Sequence, residues 1–306
     1  MGISRICSPF FWPCFLFVIL ASSPVYSNPA LLLPVDGRVD VIRHGMPVPA
    51  RTGTRLQSGM IVASQGGRAT ILLSDGTVLP VDAGRQVIVP EGEEVGGVDG
   101  MVTALMDTVR EMTSRGSRSI SRAAEADAGK IFLLYPCDSN LLPGELRFEW
   151  KGPVGLEDVE VSIRSPSPPF QHVFTPSVKE DDGEKGLPPG FPPLLPETRY
   201  YWKVKGFLRD ENRVISSRFS WFAIAGERTA QALDMELKRL DRMDPLDEKD
   251  RIFLKAALYL SYGLNHKGLV LLRMLHERVP KDTGLKEIIT GVLQKIKMEE
   301  GIDVDH

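Results

Sequence analysis

The residue types that most often do chemistry are few in this sequence and widely separated. Outside the N-terminal segment they are His44, Cys137, His172, His266, His276 and His306. No two of the histidines have the short helical spacing of a zinc site, and no Cys-x-x-Cys pair occurs. Metal binding by His266 and His276, or nucleophilic attack by Cys137, therefore ranks below surface, interface or buried structural roles.

Other reactive motifs are also missing from the sequence. There is no Gly-x-Ser-x-Gly elbow, and the glycine-rich stretch 92–100 lacks the Lys-Ser/Thr ending that binds phosphate. The acidic run 180–184 lacks the spacing of a calcium loop. We therefore expect a non-enzymatic protein without catalytic residues, cofactor or metal.

The N-terminal residues 1–27 have the pattern of a secretory signal peptide. Arg5 is the one charged residue, the apolar run 10–21 follows it, and small residues lead to a cleavage site before Asn28. An uncleaved anchor is the alternative, but a spanning helix needs roughly 20 apolar residues, and Pro13 interrupts this run. We expect a periplasmic or otherwise extracytoplasmic protein with no stable membrane span after cleavage.

Charge and cysteine content narrow the class of protein further. The chain has 37 basic and 40 acidic residues, a balance that does not favour nucleic acid or anionic lipid as a partner. After signal cleavage Cys137 is the one remaining cysteine, so no internal disulfide forms. The 306 residues predict two or three small domains held together by buried apolar surface.

Residues 35–99 are rich in Val, Ile and Leu and have glycines at turn positions, which predicts a small all-β domain. The pair Asp75-Gly76 lies between the apolar runs 69–73 and 77–81 and predicts a hairpin. In this turn we expect the Asp75 side chain to satisfy local backbone donors, while Gly76 allows a positive φ.

This β region resembles the FecR domain, the extracytoplasmic β domain of iron-uptake sensor proteins. The resemblance covers about 60 residues. It is carried, in order, by Gly37, Arg38, Val39, Gly53, Thr54, Leu56, Gly59, Ala69, Leu73, Asp75, Gly76, Thr77 and Leu79. It implies an extracytoplasmic role in sensing. In those sensors a cytoplasmic anti-sigma segment and a spanning helix precede the domain, whereas here the predicted signal peptide precedes it.

Residues 100–129 predict a short amphipathic helix followed by a linker. Apolar side chains recur at helical spacing at Val102, Leu105, Met106, Val109 and Met112. The stretch that follows is rich in Ser, Arg and Ala, which is typical of a flexible linker.

Residues 130–226 return to the alternation that is typical of strands. Their order of aromatic, proline and apolar positions resembles fibronectin type III and related immunoglobulin-like sandwiches. The resemblance is carried by Phe148, Trp150, Leu195, Pro196, Thr198, Tyr200, Trp202, Val204, Ser217 and Phe219. It implies a sandwich with Trp150 and Trp202 in its core, because inward residues of two facing sheets alternate with polar ones.

Residues 227–300 switch to a period of 3.6 residues and predict a helical region. The predicted helices are 230–240, 249–264, 267–279 and 283–296, the last with Asp282 as its N-cap. The middle pair resembles one tetratricopeptide (TPR) repeat, and the positions that carry this are Ala256, Tyr259, Gly268, Leu272 and Pro280. One repeat cannot bury its own face, so the flanking helices or another molecule must cover it.

Together these segments predict a multidomain β plus α protein with a FecR-like β domain, an immunoglobulin-like sandwich and C-terminal TPR-like helical hairpins. We expect it to bind a protein or a cell-wall polymer of the bacterial envelope rather than to catalyse a reaction. The candidate surfaces are the groove of the helical pair, with Tyr259, Tyr262 and His266, and the exposed aromatic edge of the sandwich. Two alternatives stay open: a signalling component that relays envelope state to a membrane regulator, and a hydrolase of envelope polymers.

Overall fold

The computed structural model describes residues 30–90, 100–116, 129–165, 171–174 and 192–296. Within these ranges the chain combines mostly antiparallel β-sheets with five α-helices, so the β plus α class is observed. The predicted signal peptide, most of the predicted linker and His306 lie outside the described residues.

The first β unit, residues 30–89, consists of two four-stranded antiparallel sheets that share one apolar core. Its strands are β1 (Ala30–Leu32), β2 (Val39–Arg43), β3 (Met46–Pro49), β4 (Arg55–Leu56), β5 (Ile61–Ser64), β6 (Ala69–Leu73), β7 (Val78–Val81) and β8 (Gln86–Ile88). One sheet has the order β4-β1-β6-β7 and the other β3-β2-β5-β8. Val41, Leu56, Val62 and Ile71 are buried between them, which is the apolar alternation expected of strands with one face on a core.

The hairpin of β6 and β7 lies where the sequence predicts it. The Asp75 carboxylate oxygen Oδ1 accepts a hydrogen bond from the backbone N–H of Thr77 at 2.7 Å, and Gly76 has a φ of 88°. A residue with a side chain is strained at that φ, so glycine suits the position.

The second β unit, residues 131–224, consists of a six-stranded sheet and a two-stranded ribbon. Its strands are β9 (Phe132–Tyr135), β10 (Ser139–Leu141), β11 (Glu149–Lys151), β12 (Leu156–Arg164), β13 (Gln171–Phe174), β14 (Arg199–Leu208), β15 (Arg213–Ser216) and β16 (Ser220–Ile224). The sheet has the order β10-β16-β14-β12-β13, with β15 paired to β14, and the ribbon pairs β9 with β11. β10 runs parallel to β16, and the other described pairings are antiparallel.

Strand β14 gives the six-stranded sheet one buried and one outer face. Tyr200, Trp202 and Val204 are buried, while the residues between them alternate to the outside. The ring of Trp202 lies 4.8 Å from that of Phe148, and its indole N–H donates to the carbonyl oxygen of Pro136 at 2.7 Å. Trp202 is therefore in the core, whereas Trp150, which the sequence also assigned to the core, is half-buried at its margin.

Five helices complete the described part of the chain. They are α1 (Gly100–Gly116), α2 (Glu227–Asp241), α3 (Glu248–Ser261), α4 (Asn265–Arg278) and α5 (Thr283–Lys295). Asp282 caps α5 as predicted, because its Oδ1 accepts from the backbone N–H groups of Gly284 and Leu285 at 3.0 and 3.1 Å. Among the described helices, none is both long enough and apolar enough to cross a membrane.

Helix α1 lies in the middle of the sequence but packs against α3 and α5. A Cβ atom added to Gly291 of α5 would lie 2.0 Å from the carbonyl oxygen of Met112 in α1, so the two backbones are in close contact. The buried side chains of Leu105 and Val109 join Ile288 in the same core cluster. Helices α1 and α5 thus cover the α3–α4 pair, as a single helical pair requires.

The first β unit also packs on the helices. The Thr52 hydroxyl, which is buried, donates to the carboxylate of Asp282 at the start of α5. Arg51 forms an ion pair with Glu287 of α5 at 2.6 Å. The N-terminal unit is therefore held against the same α5 helix that packs on α1.

Candidate functional site

The turn between α3 and α4 is held by the segment 135–140, which connects β9 to β10. Asn140 donates from its side-chain amide to the carbonyl oxygen of Tyr262 at 2.8 Å. Asn265, the first residue of α4, donates from Nδ2 to the carbonyl oxygen of Asp138 at 2.7 Å. These bonds join parts of the chain that are far apart in sequence, so they fix the helical pair on the second β unit.

Asp138 anchors this segment to the six-stranded sheet from the inside. It is buried, with a φ of 42°, and its Oδ1 accepts from the hydroxyl of Ser220 at 3.0 Å and from the N–H of Trp221 at 3.1 Å. Aspartate tolerates the left-handed region better than most residues. The carboxylate is therefore engaged in structural hydrogen bonds.

His266 forms the inner wall of the site and is almost completely buried. Its Nε2 accepts a hydrogen bond from the backbone N–H of Cys137 at 2.9 Å. Its ring meets that of Tyr135 edge-on, with the centroids 4.8 Å apart. A ring nitrogen that accepts a hydrogen bond is unprotonated, so this arrangement requires a neutral imidazole.

A pocket of about 630 Å³ opens between the α3–α4 pair and the loop 142–147 that follows β10. Its lining contains three kinds of side chain, which are the rings of Tyr135, Tyr259 and His266, the charged groups of Glu145, Arg147 and Lys267, and the apolar groups of Leu146, Val270 and Leu271. We call it the hairpin pocket. Its volume lies within the range of about 300–1,000 Å³ that is usual for ligand sites.

Each charged side chain in the lining of the hairpin pocket has a partner of opposite charge. Lys267 of α4 lies 2.7 Å from the carboxylate of Glu145 in the loop. The guanidinium of Arg147 lies 4.7 Å above the ring of Tyr135 and also forms an ion pair with Glu149. The ammonium of Lys267 lies 5.7 Å from the ring of Tyr259. The rim therefore offers both signs of charge above an aromatic and apolar interior.

Tyr135 in the pocket and Tyr262 at the end of α3 both have raised pKa values. Burial, reinforced by the nearby Glu145 carboxylate, raises the pKa of Tyr135 well above its ordinary value. Burial also raises the pKa of Tyr262 to about 12, and Glu236 acts in the same direction. Neither hydroxyl therefore ionises near neutral pH.

Two of the three residues predicted for the groove come together in the pocket. Tyr259 and His266 line the pocket, but Tyr262 is not part of its lining. Tyr262 is the C-cap of α3, where the chain turns towards α4, and its hydroxyl interacts with Glu236 of α2. Of the predicted groove surface, Tyr259 and His266 therefore lie in the pocket, whereas Tyr262 lies at the end of α3 outside it.

The other wall of the hairpin pocket was missed by the sequence reasoning. The sequence predicted strand-like alternation across residues 130–226, but β11 begins only at Glu149, and residues 142–147 form the loop of the pocket. No local sequence pattern indicates that Glu145 meets Lys267, because they belong to units of different periodicity. Lys267 could have been assigned to the site from the sequence, because it directly follows the predicted groove residue His266.

The histidines and Cys137 of the described ranges lie in different environments. Within the described ranges, no three His, Cys, Asp or Glu side chains are close enough to hold a metal ion. His44 is exposed in a turn, whereas His276 is half-buried on α4. Burial raises the pKa of the Cys137 thiol to about 12, so it is not an activated nucleophile near neutral pH.

No family model matches this sequence, and no curated protein matches it either. The resemblances to FecR, to immunoglobulin-like sandwiches and to a TPR repeat therefore stay predictions.

Proposed function

We propose that this protein is a non-catalytic extracytoplasmic binding protein that takes an extended segment of a protein partner into the hairpin pocket. The observation that supports this best is that apolar surface continues out of the pocket along α4. Val270, in the lining, is 47% exposed, and Met274, one turn further, is 39% exposed. Hydrophobic grooves beside helices bind the apolar side chains of partner segments.

The pairing of the charged groups supports binding rather than turnover. Glu145 is engaged by Lys267, and Glu149 by Arg147. Hydrolysis of a glycosidic polymer needs a protonated carboxyl beside a second carboxylate that is free to act. Glu145 in the lining of the hairpin pocket and the neighbouring Glu149 instead have cationic partners, so the hydrolase alternative gains no support from them.

The packing of the α3–α4 pair supports a TPR-like identity for it. A Cβ atom added to Gly268 would lie 2.6 Å from the side chain of Leu260 and 3.0 Å from the carbonyl oxygen of Ala256. Small residues at such positions let two helices approach closely. TPR-like pairs act as peptide-binding surfaces, and the predicted signal peptide 1–27 would place this one outside the cytoplasm.

The proposal can be tested by selecting peptides from a random display library on the immobilised protein and measuring their affinity by fluorescence anisotropy. We expect Val270→Glu to weaken the selected peptides by roughly tenfold or more, about 1.4 kcal/mol, because it places a charge on the apolar strip. Met235→Glu on α2 is the matched control, because Met235 is 65% exposed and lies outside the pocket lining. Failure to select any peptide, or an equal loss in the control, would reject a peptide site here.

A second candidate, the FecR-like signalling component, is favoured by the contacts of the first β unit. Helix α4 leads directly into α5, whose Asp282 and Glu287 bond to Thr52 and Arg51 of that unit. A ligand that shifts α4 would therefore act on contacts of the first β unit. Envelope-stress transcription should change in a strain that lacks the protein, and unchanged transcription would remove this candidate.

A further inference from the structure

The outer face of the six-stranded sheet has aromatic rings that the core does not use. Tyr201 of β14 stands opposite Trp221 of β16, and Phe219 lies just before β16. Tyr201 is 44% exposed and Phe219 is 37% exposed. Aromatic residues normally bury their rings, so a cluster of exposed ones is a sign of an interaction surface.

Cationic side chains lie over these rings. The guanidinium of Arg164 is 4.4 Å from the ring centre of Phe219, and that of Arg199 is 4.3 Å from the ring of Trp221. The ammonium of Lys203 is 5.1 Å from the ring of Phe219. A guanidinium over an aromatic ring keeps N–H groups that can donate to a carboxylate.

We call the surface formed by these residues the aromatic–cationic face; its members are Tyr201, Phe219, Trp221, Arg164, Arg199 and Lys203. Among the described residues, no carboxylate forms an ion pair with Arg164, Arg199 or Lys203. Lys205, the next outward residue of β14, differs because it is paired with Glu160 at 3.6 Å. The protein as a whole has a net charge of −3, so the positive character is local to this face and complementary to a bound anion.

We propose that the aromatic–cationic face binds an acidic polysaccharide, with a sugar ring stacked on Tyr201 and carboxylates held by Arg199 and Lys203. The C–H groups of a sugar ring carry slight positive charge and suit the negative face of an aromatic ring. Arg199, Tyr201 and Lys203 are successive outward residues of one strand, so two cationic residues whose backbone positions are roughly 13 Å apart flank the ring of Tyr201. A chain of sugars with spaced carboxylates fits this alternation.

Single-stranded nucleic acid also stacks on aromatic residues, but it has a phosphate at every nucleotide and is bound by strongly basic surfaces. The sequence pI is about 6.0, and the face has three cations for which no carboxylate partner occurs among the described residues. The sparse charge therefore favours the polysaccharide. The inference rests on the proposed extracytoplasmic binding role but not on the hairpin pocket.

Calorimetric titration of the full chain with polygalacturonate oligomers, neutral dextran and poly(dT) tests the proposal. We expect polygalacturonate to bind, dextran to bind at least roughly tenfold more weakly, and added salt to weaken the polygalacturonate complex. Arg199→Gln and Tyr201→Ala should each weaken it by about fivefold or more. Both side chains are exposed, so both variants should melt at the wild-type temperature.

The matched controls are Arg228→Gln on α2 and Val214→Ala on β15, which are exposed positions outside the face and should bind as the wild type does. Val270→Glu should keep polygalacturonate binding, and Arg199→Gln should keep peptide binding, so the two proposals can fail separately. Absence of polygalacturonate binding, unchanged affinity in Arg199→Gln, or tighter binding of poly(dT) would each overturn this proposal.

Discussion

The Nε2 atom of His266 accepts a hydrogen bond from the backbone N–H of Cys137 at 2.9 Å, between residues that are 129 positions apart. Both residues are buried. It joins helix α4 to the segment between β9 and β10, and it fixes the inner wall of the hairpin pocket. A buried N–H that loses its acceptor is costly, so this contact should be measurable in stability.

We predict that His266→Phe lowers the free energy of unfolding by about 1–3 kcal/mol, because the ring is kept while the Cys137 N–H loses its acceptor. Urea unfolding followed by circular dichroism measures this. His266→Gln is the control, since its amide oxygen can accept the same bond and should recover part of the loss. If the two variants were equally stable, the hydrogen bond would not contribute as described.

A second prediction concerns the contact of α1 with α5. Gly291→Ala would place a methyl group 2.0 Å from the Met112 carbonyl oxygen, so the helices must separate. Overpacking usually costs about 1–3 kcal/mol or more, and the better helix propensity of alanine returns only about 1 kcal/mol. We therefore expect a lower melting temperature for this variant.

The control for this substitution is Gly66→Ala. Gly66 is exposed, and a Cβ atom there meets no other atom within 4 Å. Its melting temperature should stay close to that of the wild type. If Gly291→Ala had the same melting temperature as Gly66→Ala, the close packing of α1 on α5 would be contradicted.

A third prediction follows from the environment of the thiol. Burial raises the pKa of Cys137 to about 12, so the folded protein should hardly react with Ellman's reagent at about pH 8. The chain to use has Cys7 and Cys14 replaced by serine, which leaves Cys137 as the one thiol. Its reaction should become at least about a hundredfold faster once urea unfolds the protein. Rapid labelling of the folded protein would show that the thiol is accessible.

Local patterns in the sequence were sufficient to predict most elements. The Asp75-Gly76 turn and the Asp282 cap were predicted because each depends on backbone groups within three residues. The alternation around Trp202 predicted a strand because one face of its sheet is buried. These features depend on interactions between residues that are close in sequence, so a single sequence is enough to predict them.

Contacts between units could not be predicted in the same way. The periodicity of α1 showed an apolar face but not that α5 covers it through Gly291. The facing walls of the hairpin pocket, with Glu145 and Lys267, are brought together by the bonds of segment 135–140 to the α3–α4 turn. Such pairings depend on the relative placement of whole units, which periodicity does not encode.

The fourth prediction concerns Asp250, in the first turn of α3. It is buried, and its Oδ2 has no hydrogen-bond partner among the described residues. Burial raises its pKa from 3.8 to about 6, reinforced by Asp247 and opposed by a hydrogen bond from Thr70 and by Lys249. The folded state therefore binds this proton more tightly than the unfolded state does.

The stability that Asp250 contributes is present below its ordinary pKa of 3.8 and is lost as the pH rises through about 6. Asp250→Asn imitates the protonated carboxyl, so it should match the wild type near about pH 4 and be more stable by on the order of 2 kcal/mol at about pH 8. Urea unfolding across this range measures the difference. Asp107→Asn on the exposed face of α1 is the control, and its difference in unfolding free energy from the wild type should not increase with pH. A constant difference between Asp250→Asn and the wild type would mean that this carboxyl does not titrate in the folded protein as described.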